Sequence, residues 1–148
     1  MKQENAMGNR AVITTKDKDI GVYLHWNGGR DSVEAFLRYC SLRQFRPPEE
    51  DGYGWARLCQ VIGNYFGGGL SLGIDSPEKL DCNNRDNGVY LIKDWKIVGR
   101  EFFEEPEQDE HDLLDMLKDI NKKQPKKDRL SEEEIKDALK PAPVGETT

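Results

Sequence analysis

Apolar residues divide the first part of the chain into a strand pair followed by two helices. The segments Ala11–Thr15 and Ile20–Trp26 are rich in β-formers and flank a charged turn, which predicts an antiparallel hairpin. Apolar side chains then recur at helical spacing over residues 33–45 and 55–66, which predicts two amphipathic helices. Asp31 or Ser32 is suited to cap the first helix.

Three further short strands are predicted from the next part of the chain. Leu70–Ile74 reads as a short strand, and Val89–Ile92 and Lys96–Phe103 read as strands on either side of a turn. The segment Ser76–Asn87, rich in Asp and Asn, is predicted to be a loop. Together these elements predict an α+β fold, with a small antiparallel sheet, two packed helices and a C-terminal helical tail.

The character of the chain changes after Phe103, where a run of Glu and Asp residues begins. An apolar stripe from Leu113 to Ile120 predicts one amphipathic helix, and a capping box at Ser131–Glu134 opens a second. So narrow a stripe either docks on the domain or meets a second copy of itself. The predicted organisation is a flexible N-terminus (1–9), a ligand-binding α+β domain (10–104), an acidic helical tail (105–140) and a disordered end (141–148).

Composition and charge support this division. All Trp and Phe residues lie between positions 26 and 103, so a core is expected there. Residues 1–100 carry 14 basic and 13 acidic side chains, a net charge of +1, whereas residues 101–148 carry 8 and 15, a net charge of −7. The overall charge of −6 therefore belongs to the tail and does not exclude an anionic ligand on the domain.

The cysteine pattern and the lengths of the apolar runs limit which cellular compartment and which cofactors are expected. Cys40, Cys59 and Cys82 are widely spaced, with no CxxC pair, so buried reduced thiols are expected and no metal or other cofactor is predicted. No apolar run reaches the roughly 20 residues of a membrane span, and no signal peptide opens the sequence. A cytoplasmic protein without a membrane partner is expected.

The first candidate ligand site is the segment that joins the hairpin to the first helix. Two glycines there permit close approach of a ligand, a helix N-terminus favours an anion, and Arg30 has a fork that fits phosphate. Trp26 offers a flat face to a base. The alternative is a tight turn with a buried Trp. The candidate residues are Trp26, Asn27, Gly28, Gly29, Arg30, Asp31 and Ser32.

The second candidate site is the polar loop before the strand at Val89. Asn side chains offer both donor and acceptor, so such a loop suits base edges and ribose hydroxyls. Turn chemistry explains the same residues equally well. The candidate residues are Asn83, Asn84, Arg85 and Asp86. Arg100, on the last strand, is by itself more typical of a solvated surface residue.

The sequence lacks a clear catalytic set. No Ser/His/Asp or Cys/His arrangement stands out, which favours a binding protein over an enzyme. Asn27–Ser32 resembles the SGGxDS phosphate loop of the PP-loop ATP pyrophosphatases, with Asn in place of the first Ser. Because the chain lacks repeated βα units, a nucleotide-cleaving enzyme of that kind is the less favoured alternative.

The segments Gly8–Thr15 and Val22–Gly29 resemble a family of small phage proteins, the phage Thoeris anti-defence family. The resemblance covers about residues 8–103. It implies a homo-oligomeric sponge in the cytoplasm of an infected bacterial host, which sequesters a cyclic ADP-ribose signal without cleaving it. Members are also implied to hold cyclic oligonucleotides at a separate oligomer site. The residues implied to match are Trp26, Arg30, Asn83, Asn84, Arg85, Asp86 and Arg100.

A rival function is direct inhibition of an immune protein, as by a phage anti-CRISPR protein that binds a nuclease. Its supporting feature is the acidic tail, which resembles a nucleic-acid mimic in charge. Such an inhibitor should need residues 104–148. A sponge, in contrast, acts on a small molecule and contacts neither nucleic acid nor the immune protein.

Overall fold

The computed structural model describes residues 9–68, 71–103 and 112–139. Within these ranges it consists of a five-stranded sheet and four α-helices, which confirms the α+β class. The strands are β1 (Ala11–Thr14), β2 (Gly21–Leu24), β3 (Leu72–Asp75), β4 (Val89–Lys93) and β5 (Lys96–Glu101). The helices are α1 (Arg30–Leu42), α2 (Gly52–Phe66), α3 (Leu113–Lys123) and α4 (Glu132–Ala138).

The sheet is mixed, in the order β3-β2-β1-β4-β5. The predicted hairpin is present, with Ala11 opposite Leu24, but β1 and β4 run parallel, with Val12 opposite Val89. The expectation of a wholly antiparallel sheet is therefore corrected. The reason is the segment 76–88, which returns from the far end of β3 to the end of the sheet where β1 begins. Strand β4 consequently starts beside the start of β1 and runs in the same direction.

The hydrophobic core lies between one face of the sheet and the helices. Alternate strand residues such as Ile13, Leu24 and Tyr90 are fully buried on this face, as the period of two along a strand requires. Helix α1 contributes Phe36 and α2 contributes Leu58 to the same core. Both helices were predicted from their spacing, although α1 begins at Arg30, earlier than the predicted cap.

The opposite face of the sheet, here called the outer face, is covered by the segment 76–88. A Cβ atom added to Gly21 would lie 2.9 Å from Leu80 Cδ1 and 3.3 Å from Pro77 Cγ, so the loop is closely packed on β2. Thr14 is fully buried, and its hydroxyl donates a hydrogen bond to the carbonyl of Ile20. A segment predicted only as a loop thus forms a layer of the structure.

Helix α3, predicted as part of a separate tail, packs against α1 and α2. Leu117 and Ile120 are fully buried in the same core as the first two helices. The Tyr39 hydroxyl donates to Asn121 Oδ1 at 2.6 Å, and burial raises the pKa of Tyr39 to about 12. The apolar stripe therefore docks on the domain, which is one of the two outcomes its narrowness allowed.

Some of the predicted organisation falls outside the part of the chain that is described. The predicted flexible N-terminus is described only at Asn9, and the predicted disordered end (141–148) and the acidic stretch 104–111 lie outside the described residues. Among the described helices, none has the length and apolar character needed to cross a membrane.

Candidate functional site

The two loops singled out in the sequence lie at the same end of the sheet. Strands β1 and β4 begin at this end, and β2 ends there. The backbone N–H of Gly28 donates to the carbonyl of Asn9 at 2.9 Å, and the N–H of Asn87 donates to the carbonyl of Arg10 at 3.1 Å. Loops that are far apart in sequence are therefore bonded to two adjacent residues, Asn9 and Arg10, that lead into β1.

Gly28 has a packing role in the first loop. A Cβ atom at this position would lie 2.5 Å from the carbonyl oxygen of Asn9 and 2.7 Å from the Cβ atom of Ala11. Gly29 is the N-cap of α1 in an ordinary extended conformation, with φ −68° and ψ 159°. Asn27, with φ 57°, is the residue of this loop in the left-handed region, which Asn tolerates better than most residues.

Three polar residues of the first loop make hydrogen bonds within the loop. Ser32 is buried, and its hydroxyl lies 3.3 Å from Nδ2 of Asn27. The carboxylate of Asp31 accepts a hydrogen bond from the N–H of Ser32 at 2.7 Å. These contacts order the start of α1.

Trp26 and Arg30 are the residues of the first loop with the most accessible functional groups. Trp26 is 37% exposed. Its ring packs edge to face against that of His25, with the two ring centroids 4.7 Å apart. The Arg30 guanidinium is paired with Glu34 at 3.3 Å on the first turn of α1, in a partly exposed position. An exposed ring and a surface guanidinium therefore flank the N-terminus of a 13-residue helix.

Asn84 organises the second loop through both ends of its side chain. Its Oδ1 accepts hydrogen bonds from the N–H groups of Asp86 and Gly88, each at 3.0 Å. Its Nδ2 donates to the carbonyls of Asp81 and Gly88. Because this side chain is buried and bonded on every side, it builds the loop and is not available to read a base edge.

Asp86 ties the second loop to the start of β1. Its buried carboxylate accepts a hydrogen bond from Nε of Arg10 at 2.7 Å, and this contact raises the pKa of Arg10. Asp86 also accepts from the backbone N–H of Arg10. The carboxylate therefore positions the Arg10 guanidinium, which is itself partly exposed.

The remaining predicted site residues are placed at or near the surface. Asn83 and Arg85 are exposed, and Arg85 has a left-handed backbone with φ 64°. Arg100 donates from Nε to the carbonyl of Asn87, and its guanidinium stacks over the ring of Phe103 at 4.5 Å. We call Arg10, Arg30, Arg85 and Arg100 the arginine group, since all four belong to segments at this end of the sheet.

A cavity of about 680 Å³ opens between the segment 76–83 and the outer face. Lys18 and Glu101 form an ion pair of 2.8 Å at its wall, and Glu78 and Asp81 add two further carboxylates. Asn83, predicted as a ligand residue, is part of this lining. The excess of carboxylates opposes an anion, so the cavity is poorly suited to a nucleotide phosphate.

Sequence reasoning did not anticipate the cavity on the outer face. Its walls come from the β1–β2 turn, the segment 76–83 and the end of β5, which are distant in sequence. The signal that was available is Leu80, an apolar residue in an otherwise polar loop. An apolar residue in that position indicates a loop that packs on a surface.

Among the described residues, no three His, Cys, Asp or Glu side chains are close enough to hold a metal ion. Comparison with protein-family models, with curated proteins and with solved structures gives no match.

Proposed function

We propose that this protein binds a nucleotide at the arginine group and holds it without cleaving it. The observation that carries the proposal is the convergence of two separately identified loops on Asn9 and Arg10. Each loop brings at least one arginine to that end of the sheet. A phosphate needs such charge, and several arginines on one side of the molecule provide it.

The chemistry of the first loop suits the two parts of a nucleotide. The N-terminus of α1 and the Arg30 guanidinium are matched to a phosphate. The exposed ring of Trp26 is matched to a base, which stacks on aromatic faces. The alternative cavity on the outer face lacks this match because its three carboxylates outnumber its single lysine.

The particular ligand that we propose is a cyclic nucleotide immune signal, a cyclic ADP-ribose isomer or a cyclic oligonucleotide. This step rests on the resemblance of residues 8–103 to the phage anti-defence sponges. It makes the protein a cytoplasmic phage protein that lowers the concentration of a host signal. Direct inhibition of a nuclease differs in one measurable respect, since it requires contact with the immune protein.

Arg30→Ala is expected to weaken nucleotide binding about 10- to 150-fold, because a charged hydrogen bond in a partly closed site contributes about 1.5–3 kcal/mol. Calorimetric titration with cyclic ADP-ribose isomers and cyclic dinucleotides measures the change. Arg38→Ala is the matched control, since Arg38 lies on the same helix two turns from its N-terminus. This control should bind like the wild type.

A thermal melt of each variant separates loss of binding from loss of folding. The Arg30–Glu34 pair is at the surface, so its removal should change the free energy of unfolding by less than about 1 kcal/mol. Wild-type affinity in Arg30→Ala would remove the first loop from the proposed site. Equal weakening in both variants would indicate a general charge effect instead of a phosphate contact.

A further inference from the structure

Strand β3 is an edge strand of the sheet: it pairs with β2 on one side, and no described strand pairs with its other side. The N–H of His25 donates to the carbonyl of Ser71, so the backbone groups of Ser71 point toward β2. Because these directions alternate along an antiparallel strand, the groups of Gly73 also point toward β2. The N–H and C=O groups of Leu72 and Ile74 point outward, at the free edge of the sheet formed by the described strands.

The two edge strands of the sheet differ in how they are protected. Strand β5 carries Lys96, Arg100 and Glu101, and its pairing with β4 is interrupted by a bulge near Val98. Charges and bulges are the usual means by which an edge avoids pairing with another chain. Strand β3 has no bulge, and its one charged residue, Asp75, is at its end, beside an Ile74 that is 60% exposed.

A groove of about 810 Å³ lies beside this edge, between α2 and β3. Its lining is uncharged and includes Ala56, Gly63 and Ile74. The sequence from Leu58 to Ile74 contains no charged residue, although 34% of the chain is charged. Depletion of charge, and not simple apolarity, is what distinguishes the centre of a protein–protein interface from other surface.

We propose that β3 pairs with β3 of a second copy of this chain, antiparallel and across a two-fold axis at Gly73. In this register Leu72 lies opposite Ile74 of the second copy, and the outward backbone groups of these two residues exchange hydrogen bonds. Gly73 meets Gly73 of the second copy at the axis. Since Leu72 and Ile74 lie on the helix side of the sheet, their side chains form apolar pairs above the two grooves.

Charge does not oppose a second copy at this surface. Residues 1–100, which include α2 and β3, carry a net charge of only +1, and the sequence from Leu58 to Ile74 carries none. Two copies can therefore meet here with little electrostatic repulsion. The register is also self-complementary, because one apolar residue of the strand faces the other across the axis.

The proposed dimer is independent of the proposed nucleotide site. Antiparallel pairing of β3 places the arginine groups of the two copies at opposite ends of the joined sheet. Each group stays open to solvent in this arrangement. Failure of one proposal therefore leaves the other standing, and different measurements test them.

Ile74→Lys tests the interface, with Val98→Lys as the matched control. Both wild-type side chains are β-branched and lie on edge strands, and they are 60% and 61% exposed. Light scattering after size exclusion at tens of micromolar should give the wild type and Val98→Lys about twice the 17.0 kDa of one chain. Ile74→Lys should run at the mass of one chain, with dimer affinity weakened about 100-fold or more, because an ammonium would be buried at the interface.

A second variant, Gln60→Lys, places the charge on α2 and leaves β3 unchanged. It should also shift the mass measured by light scattering from that of the dimer toward that of the monomer. A thermal melt checks that each variant is folded. A wild type with the mass of one chain would overturn the proposal, as would folded dimers of both Ile74→Lys and Gln60→Lys. A monomeric Val98→Lys beside a dimeric Ile74→Lys would place the interface at β5 and overturn it equally.

Discussion

Leu117→Ala is expected to lower the free energy of unfolding by about 2–5 kcal/mol, the usual cost of emptying a fully buried leucine site. Leu117 lies on α3, inside the core that α1 and α2 share. A urea denaturation curve measures the change. Asp119→Ala, at an exposed position of the same helix, is the control and should change stability by less than about 0.5 kcal/mol.

Removing residues 112–148 extends the same test to the whole segment. The shortened protein loses Met116, Leu117 and Ile120 from the core, together with the hydrogen bond between Tyr39 and Asn121. We expect a broad thermal transition without cooperativity. A cooperative melt would contradict this account and would support the separable tail that the charge division near residue 104 suggested.

Gly28→Ala is expected to destabilise the protein by about 1–3 kcal/mol, as forced overpacking usually does. The added Cβ would lie 2.5 Å from the carbonyl oxygen of Asn9, which also accepts the Gly28 N–H hydrogen bond. The backbone on both sides would have to move apart at the end of the sheet. Thermal and urea unfolding of the same sample measure the effect.

Gly52→Ala is the control for this substitution. A Cβ at Gly52 would meet nothing within 4 Å, so stability should be unchanged or slightly raised. The result for Gly28→Ala also distinguishes two interpretations of the glycine. A variant of normal stability that fails to bind nucleotide would show that the glycine serves ligand approach, and the packing account would be wrong.

Local periodicity predicted most elements of the fold because the information is contained within each segment. The spacing of Phe36 and Leu37 on α1, and the alternation along the hairpin, are short-range signals. The parallel pairing of β1 with β4 depends on where the segment 76–88 crosses the sheet. No pattern within that segment specifies the crossing, so the sheet was predicted as antiparallel.

The same distinction explains the candidate site. Residue types singled out two loops that lie at the same end of the sheet, but they did not separate residues that build a loop from residues that face solvent. The side chain of Asn84 is fully hydrogen-bonded to backbone groups of its own loop. The carboxylate of Asp86 bonds to Arg10, which is 76 residues away in sequence. Trp26 and Arg85 are accessible because of how the neighbouring segments pack, which the sequence of the loop does not contain.

The most direct test of the proposed function is to identify what the protein holds and returns. Purified protein is exposed to a mixture of cyclic ADP-ribose isomers and cyclic oligonucleotides, freed of unbound nucleotide and then heated. Mass spectrometry of the released material should find one of these nucleotides intact, at up to one molecule per site, and little of it after Arg30→Ala. Absence of any released nucleotide, or release of a cleaved product in excess of the protein, would contradict the proposal that the arginine group binds a nucleotide and leaves it unchanged.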